Sequence, residues 1–205
     1  MILLDHVYEP SDDTFMLAEA ILNENRTFNL ALDMGCGSGA LSIILAEKAS
    51  HIIALDINPS AVKNTKLNAL INGLSYKIDV ICGDLFHPIR YGYLFDLIVF
   101  NPPYLPEDEY DQILSLQDRL AWSGGISGRE TIDAFINLLN SFMRNNGVLL
   151  MIQSSLSDYE LTVKRLKNLN FKVKVIAIKN FFFERLCVIR AEKRDFHAQN
   201  ICNIG

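Results

Sequence analysis

Apolar positions recur along this chain in two periods, near 3.6 and near 2, and the period switches every ten to fifteen residues or so. Residues 12–25 (DDTFMLAEAILNEN) space Phe15, Leu17, Ala18, Ile21 and Leu22 as a helix would, with Ser11 or Asp12 placed to cap it. The apolar strand FNLALDM runs straight into the turn GCGSG, and ALSIILAEKA follows as a helix. HIIALD predicts a second buried strand, then PSAVKNTKLNALIN a helix with Pro59 in its first turn and Gly73 at its end. YKIDVICGD and YLFDLIVF read as third and fourth strands, the fourth stopped by the breakers of NPPYLP.

Residues 105–126 read as a long loop with a short helix around Ile113–Leu120, and loops of that length at a strand end are usually functional. GRETIDAFINLLNSFMRNNG predicts an amphipathic helix stopped by Asn146-Gly147, and VLLMIQ a fifth strand. SDYELTVKRLKNLN is a basic-faced helix whose Lys164, Arg165 and Lys167 read as a solvated face in preference to a contact with an acidic partner such as ribosomal RNA. FKVKVIAIK and FFERLCVIRA close the pattern, with Phe181–Phe183 expected in a core strand in preference to a hydrophobic patch. The short turn between these last strands requires them to be antiparallel. Strand–helix alternation before them predicts an α/β fold, a doubly wound, mostly parallel Rossmann-like sheet of seven strands with an antiparallel last strand. Residues 1–192 are expected to form one domain, and 193–205 a flexible tail without periodicity.

Composition narrows the class. The 205 residues are 50% hydrophobic, enough for one sizeable core, and no run reaches the roughly 18 apolar residues of a membrane span. Asp5 and Glu9 stand where a signal peptide would be basic, so a cytoplasmic location is expected. The four cysteines and four histidines are scattered, which predicts neither a disulfide framework nor a bound metal. A net charge of −5 with mixed signs disfavours direct nucleic-acid binding.

The first candidate chemistry lies in DMGCGSG, with Asp33, Gly35, Gly37 and Gly39. A glycine-rich turn between a first strand and a helix marks a nucleotide-type site, and dinucleotide binders use a related loop. Here the spacing is GxGxG without the third glycine of GxGxxG, and Asp33 would repel a pyrophosphate while suiting a cationic amine. Asp56 ends the second strand and can accept from ribose hydroxyls; Asp84 follows the third and can accept from an adenine amine, with Leu85 against the ring. Each acid alone can also be read as a turn residue or cap; three at successive strand ends with the glycine loop point to S-adenosylmethionine.

The second lies in Asn101-Pro102-Pro103-Tyr104, at the end of the fourth strand and so on the same rim. An amide or aromatic amine nitrogen is a poor nucleophile because its lone pair is conjugated. The Asn101 side-chain oxygen and the Pro102 carbonyl can accept its two hydrogens, Pro103 stiffens the turn, and Tyr104 can stack on the planar group. These dipoles interact more strongly as the nitrogen becomes positive, so they stabilise the transition state selectively.

Taken together, DMGCGSG, DINP (Asp56–Pro59) and NPPY resemble the HemK-type class I methyltransferases. VYEPSDDTF (Val7–Phe15) and LAWSGGISGRETIDAF (Leu120–Phe135) are similar to the eukaryotic and archaeal branch, which lacks the N-terminal helical domain of the bacterial enzymes. The resemblance implies methylation of the GGQ glutamine of a class I release factor, with lysine in other proteins as a further target. It implies a heterodimer with a small zinc-binding activator on an exposed sheet edge, here the strand near Tyr76–Cys82. By position it implies cofactor contacts from Thr14, Asp33, Gly35, Asp56, Asp84 and Asn101, and a substrate amide held by Asn101, Pro102 and Tyr104. Tyr8, Glu9 and Pro10 would form the pocket rim. The family often has Glu where Asp33 stands, which points to contact with the cofactor amine through water. Trp122 with Gly124, Gly125 and Gly128 reads either as a closure over the substrate or as a packed loop anchor. Two other readings stay open: methylation of a base amine in nucleic acid, for which NPPY also serves, and a non-catalytic cofactor-binding scaffold.

Overall fold

The computed structural model describes residues 1–106 and 124–195. The Ile113–Leu120 helix, Trp122 and most of the expected tail lie outside them. Seven strands form one sheet: β1 (Phe28–Met34), β2 (Ala49–Asp56), β3 (Ile78–Cys82), β4 (Phe95–Phe100), β5 (Met143–Ser154), β6 (Phe171–Asn180) and β7 (Arg185–Lys193). Their order is β3-β2-β1-β4-β5-β7-β6. The pairs from β3 to β5 are parallel, and β7 runs antiparallel to both β5 and β6.

The helices are α1 (Asp12–Leu22), α2 (Ala40–Leu45), α3 (Pro59–Ile71), α4 (Glu130–Phe142) and α5 (Tyr159–Asn168). Successive strand residues point to opposite faces, and both faces are covered. Ala31, Leu97, Val99 and Leu150 meet Leu17 and Ile21 of α1 and Leu41 and Leu45 of α2. Leu32, Ile98, Phe100 and Leu149 meet Ile132, Phe135 and Leu139 of α4 and Leu166 of α5. Phe100, the last residue of β4, tilts against Phe135 at 4.5 Å between centroids, and Phe86 stacks on Phe142 at 4.6 Å. That aromatic layer fixes the strand end from which NPPY departs.

Four expectations need correction. Helix α1 ends at Leu22, and Phe15 and Leu22 on its helical spacing are exposed. Ser11 occupies the N-cap, but its hydroxyl bonds Asp13 rather than a backbone amide. Helix α4 stops at Phe142, well before Asn146-Gly147, because fully buried Met143 already pairs with Phe95 in the sheet. Phe181–Phe183 lie outside any strand, in the turn joining β6 to β7, with Phe182 92% exposed. The β7 strand continues to Lys193, and Arg194 N donates to Asn170 O.

Candidate active site

The chain crosses from one half of the sheet to the other between β1 and β4, and ligands in such sheets bind outside the carboxyl ends of the strands at that switch point. A cavity of about 640 Å³ opens there. The glycine turn forms its floor. Gly35 and Cys36 donate backbone N–H groups to Leu55 O at 2.7 and 3.0 Å, which pins the turn to β2. Gly37 has φ +53°, and a Cβ built there would meet nothing within 4 Å. It is therefore backbone shape, not lack of space, that selects glycine, leaving bare backbone toward the cavity.

Asp56 ties two elements to the same cavity. Its Oδ2 accepts Gly37 N at 2.8 Å and its Oδ1 accepts Asn58 N at 2.8 Å, leaving one further lone pair on each oxygen for a ligand hydroxyl. Burial raises its pKa despite these bonds. Asp84 and Leu85 line the cavity farther along, with Leu85 buried and Asp84 turned outward, 3.6 Å from His87 Nδ1. Gly35 and Thr14 also line it.

Asp33 is placed differently from the expectation. It is fully buried beneath the turn, outside the cavity lining, and its Oδ2 accepts the Ser42 hydroxyl at 2.5 Å. Its other oxygen has no partner among the described residues. Burial, reinforced by nearby Asp56 and opposed by the Ser42 bond, lifts its pKa to about 7. Asp33 thus underpins the turn from beneath, through Ser42.

The second wall is NPPY. Asn101, Pro102, Pro103 and Tyr104 all line the cavity. Asn101 Nδ2 donates to Asp13 Oδ2 at 3.1 Å, while Asn101 Oδ1 is buried with no partner among the described residues. Tyr104 and Tyr8 donate their hydroxyls to the same Asp13 oxygen at 3.2 and 2.9 Å. The other Asp13 oxygen accepts the Thr14 N–H at 2.6 Å and lies 3.2 Å from the Thr14 and Ser11 hydroxyls. One carboxylate, only 3% exposed, therefore gathers the N-terminal segment, α1 and the fourth-strand loop. A carboxylate accepts and does not donate, so the Asn101 amide must turn its NH₂ toward Asp13 and its oxygen away. Burial, together with the Asp13 charge, pushes both phenols well above the ordinary tyrosine range and keeps them as donors.

Asp13 escaped the sequence reading because an acid in a helix's first turn is what any helix favours. Its signal was three-dimensional. Pro10 lines the cavity beside Tyr8, whereas Glu9 is exposed and outside the lining. The glycine cluster after the long loop is an anchor: a Cβ on Gly124 would lie 2.7 Å from Pro103 O, and one on Gly128 would lie 2.5 Å from Tyr104 O. Gly128 also has φ +71°, so the segment can press against NPPY only with glycine there. Glu130 folds back onto Ser127 and Arg129 N–H groups and lines the cavity. Phe181, Glu184 and Leu186, from the far end of the chain, complete it, and none of the three was anticipated.

The chain is similar to several known proteins. Residues 11–119 match the family model of the methyltransferase small domain. A Methanocaldococcus jannaschii protein named for protein N5-glutamine methylation is 40% identical across 90% of this chain and 91% of its own length. The Schizosaccharomyces pombe eRF1 methyltransferase catalytic subunit is 32% identical across 71% of each chain. Among solved structures, the E. cuniculi Mtq2-Trm112 complex, responsible for methylation of the eRF1 termination factor, superposes with a TM-score of 0.72 at 23% identity, covering 92% of this chain and 99% of that one. A glycine-floored cavity with acids at strand ends and an orphaned amide oxygen fits an adenosyl sulfonium and a planar nitrogen. The chain belongs to the methyltransferase small-domain family, among the protein N5-glutamine methyltransferases, and S-adenosylmethionine is its cofactor.

Proposed function

We propose that this enzyme methylates the side-chain amide of the GGQ glutamine in a class I translation termination factor. The observation that carries this is Asn101 Oδ1: a buried acceptor without a partner among the described residues, at a cavity, on an amide whose other end is fixed. Buried acceptors are nearly always satisfied, so this one is reserved for a donor that arrives with the substrate. A primary amide brings two N–H groups in one plane; Asn101 Oδ1 takes one and the Pro102 carbonyl the other. The relative named as an eRF1 methyltransferase subunit supports the choice of substrate.

The bound cofactor supplies an electrophilic methyl group on a sulfonium. Asp56 would hold its ribose hydroxyls, and Leu85 its adenine ring, with Asp84 facing the adenine amine. The protein's own contribution is orientation. With both N–H groups held, the amide nitrogen turns its lone-pair density outward, and the acceptors bind it better as it gains positive charge. Tyr104, kept protonated and bonded to Asp13, packs against the planar group and serves as neither base nor nucleophile. The extra proton leaves the nitrogen after methylation, so no tuned base is required. A base amine in nucleic acid offers the same two hydrogens, but Asp12, Asp13, Asp84, Glu130 and Glu184 around the cavity oppose a phosphate backbone.

A small zinc-binding activator on the β3 edge completes the reading. β3 ends the sheet, and Leu70, Ile71 and Tyr76 beside it are exposed apolar residues, a liability unless covered. Labelled cofactor incubated with the enzyme, its activator and a GGQ-containing termination factor should place one methyl on that glutamine. Label on another residue, or on RNA in preference to protein, would refute the assignment.

A further inference from the structure

The turn between β6 and β7 carries two of the most exposed large side chains among the described residues: Phe182 at 92% and Phe183 at 86%. Their rings meet edge to face, 4.6 Å between centroids. A paired aromatic patch in open solvent marks a contact surface more often than an accident of folding.

The turn is also built to hold its shape. Phe181 N donates to Glu184 O at 2.8 Å, and Ser154 Oγ donates to Glu184 Oε2 at 2.7 Å. Arg185 N donates to Ser155 Oγ at 3.0 Å, and Arg185 Nε to Asn180 Oδ1 at 3.2 Å. Lys179 pairs with Asp12 of α1 at 2.7 Å and lies 5.3 Å from the Phe181 ring centroid. The strap from β6 to α1 thus fixes the turn relative to the helix that carries Asp13.

Its position is the decisive fact. Phe181 and Glu184 line the catalytic cavity, and the same two residues with Phe182 and Phe183 line a second, shallower depression on the outside of the turn. A macromolecule that inserts one side chain into the cavity must pass over this rim. We propose that Phe182 and Phe183 form a docking surface for the polypeptide of the substrate protein, gripping an apolar side chain near the methylated glutamine. This rests on the glutamine reading above.

The surroundings select polypeptide over nucleic acid. Among the described residues, Asp158, Glu160 and Glu184 share the outer depression with a single basic residue, Arg185, whose Nε is already engaged. Phosphates would be repelled there, whereas exposed rigid aromatics are typical anchors for protein contacts.

The test is steady-state kinetics of the full chain with its activator, using the termination factor as substrate. In the double variant Phe182→Ser/Phe183→Ser, KM for that protein should rise about tenfold, with kcat and cofactor Kd unchanged. Phe182→Leu/Phe183→Leu keeps an apolar surface and should retain most of the affinity. An unchanged KM in the serine variant would overturn the proposal, as would a loss confined to kcat or to cofactor binding. So would a variant that loses binding to single-stranded oligouridine while keeping its protein KM, since rings can also stack on bases. Wild-type enzyme that labels no glutamine in the termination factor would instead remove the underlying functional reading, a separately visible result.

Discussion

The glycine turn and the NPPY turn sit at the ends of neighbouring strands, β1 and β4, and are held by different means. The first is held by the strand and helix that follow it: its amides reach Leu55 O and Asp56, and Thr65, Asn64 and Asn68 of α3 donate to Gly37 O and Ser38 O. The second is held from a distance, by Asp13 in α1, 88 positions before Asn101, and by the glycine segment pressing on Pro103 and Tyr104. The difference follows from what each must do. A cofactor that is bound by backbone and strand-end acids needs a turn of fixed shape. A substrate amide needs one side-chain amide rotated the right way and kept there, and a carboxylate that can only accept sets that rotation.

Damage to the two turns should therefore separate cleanly. Asn101→Ala removes the acceptor itself and should lower kcat about 10³-fold, in line with loss of a transition-state dipole. Asp13→Asn keeps the volume but offers an NH₂ where three donors converged, so the Asn101 amide is free to flip. Its kcat should fall about 10- to 100-fold with cofactor Kd within a few-fold of wild type, read by single-turnover kinetics and calorimetry. Asp56→Ala should do the reverse: cofactor Kd weakened about tenfold or more, with a smaller change in kcat at saturating cofactor. If Asp13→Asn and Asp56→Ala gave the same pattern, the distinction between the two clamps would be lost.

Legibility from sequence divides along the same line. The strand order of chemistry was readable because FNLALDMGCGSG, HIIALD and YLFDLIVFNPPY put strand, turn and functional residue in one continuous stretch. Gly35, Asp56, Asp84, Leu85 and Asn101 all line the cavity where those strands end. Asp13 was not readable, because its neighbours are its partners only after α1 has folded against β4. Phe181, Glu184 and Leu186 were hidden for the same reason: the antiparallel β7 returns the end of the chain to the rim. Phe181–Phe183 misled because three consecutive phenylalanines look like core, and only the Phe181–Glu184 hydrogen bond reveals a turn. Asp33 misled by chemistry, since an acid before a glycine turn suits a cationic ligand whether it reaches the ligand or not.

Asp33 also supplies the prediction with the smallest expected effect on turnover and the sharpest test of its position. Its pKa is about 7 when folded and about 4 when the chain is unfolded. Between those values the folded state holds one more proton, so stability is full below about pH 4 and falls as pH rises toward 7, by at most about 1.4 kcal/mol per unit. Asn in its place can still accept from Ser42 and never ionises. Asp33→Asn should accordingly leave Tm nearly unchanged at pH 4 and raise it at pH 8, measured by differential scanning calorimetry without cofactor. Cofactor Kd at pH 8 then decides the rest. Loss of affinity in the same variant would mean that the buried charge acts through the turn on the cofactor's amine, drawing the two turns closer in kind. Unchanged affinity would make Asp33 a support for the turn alone.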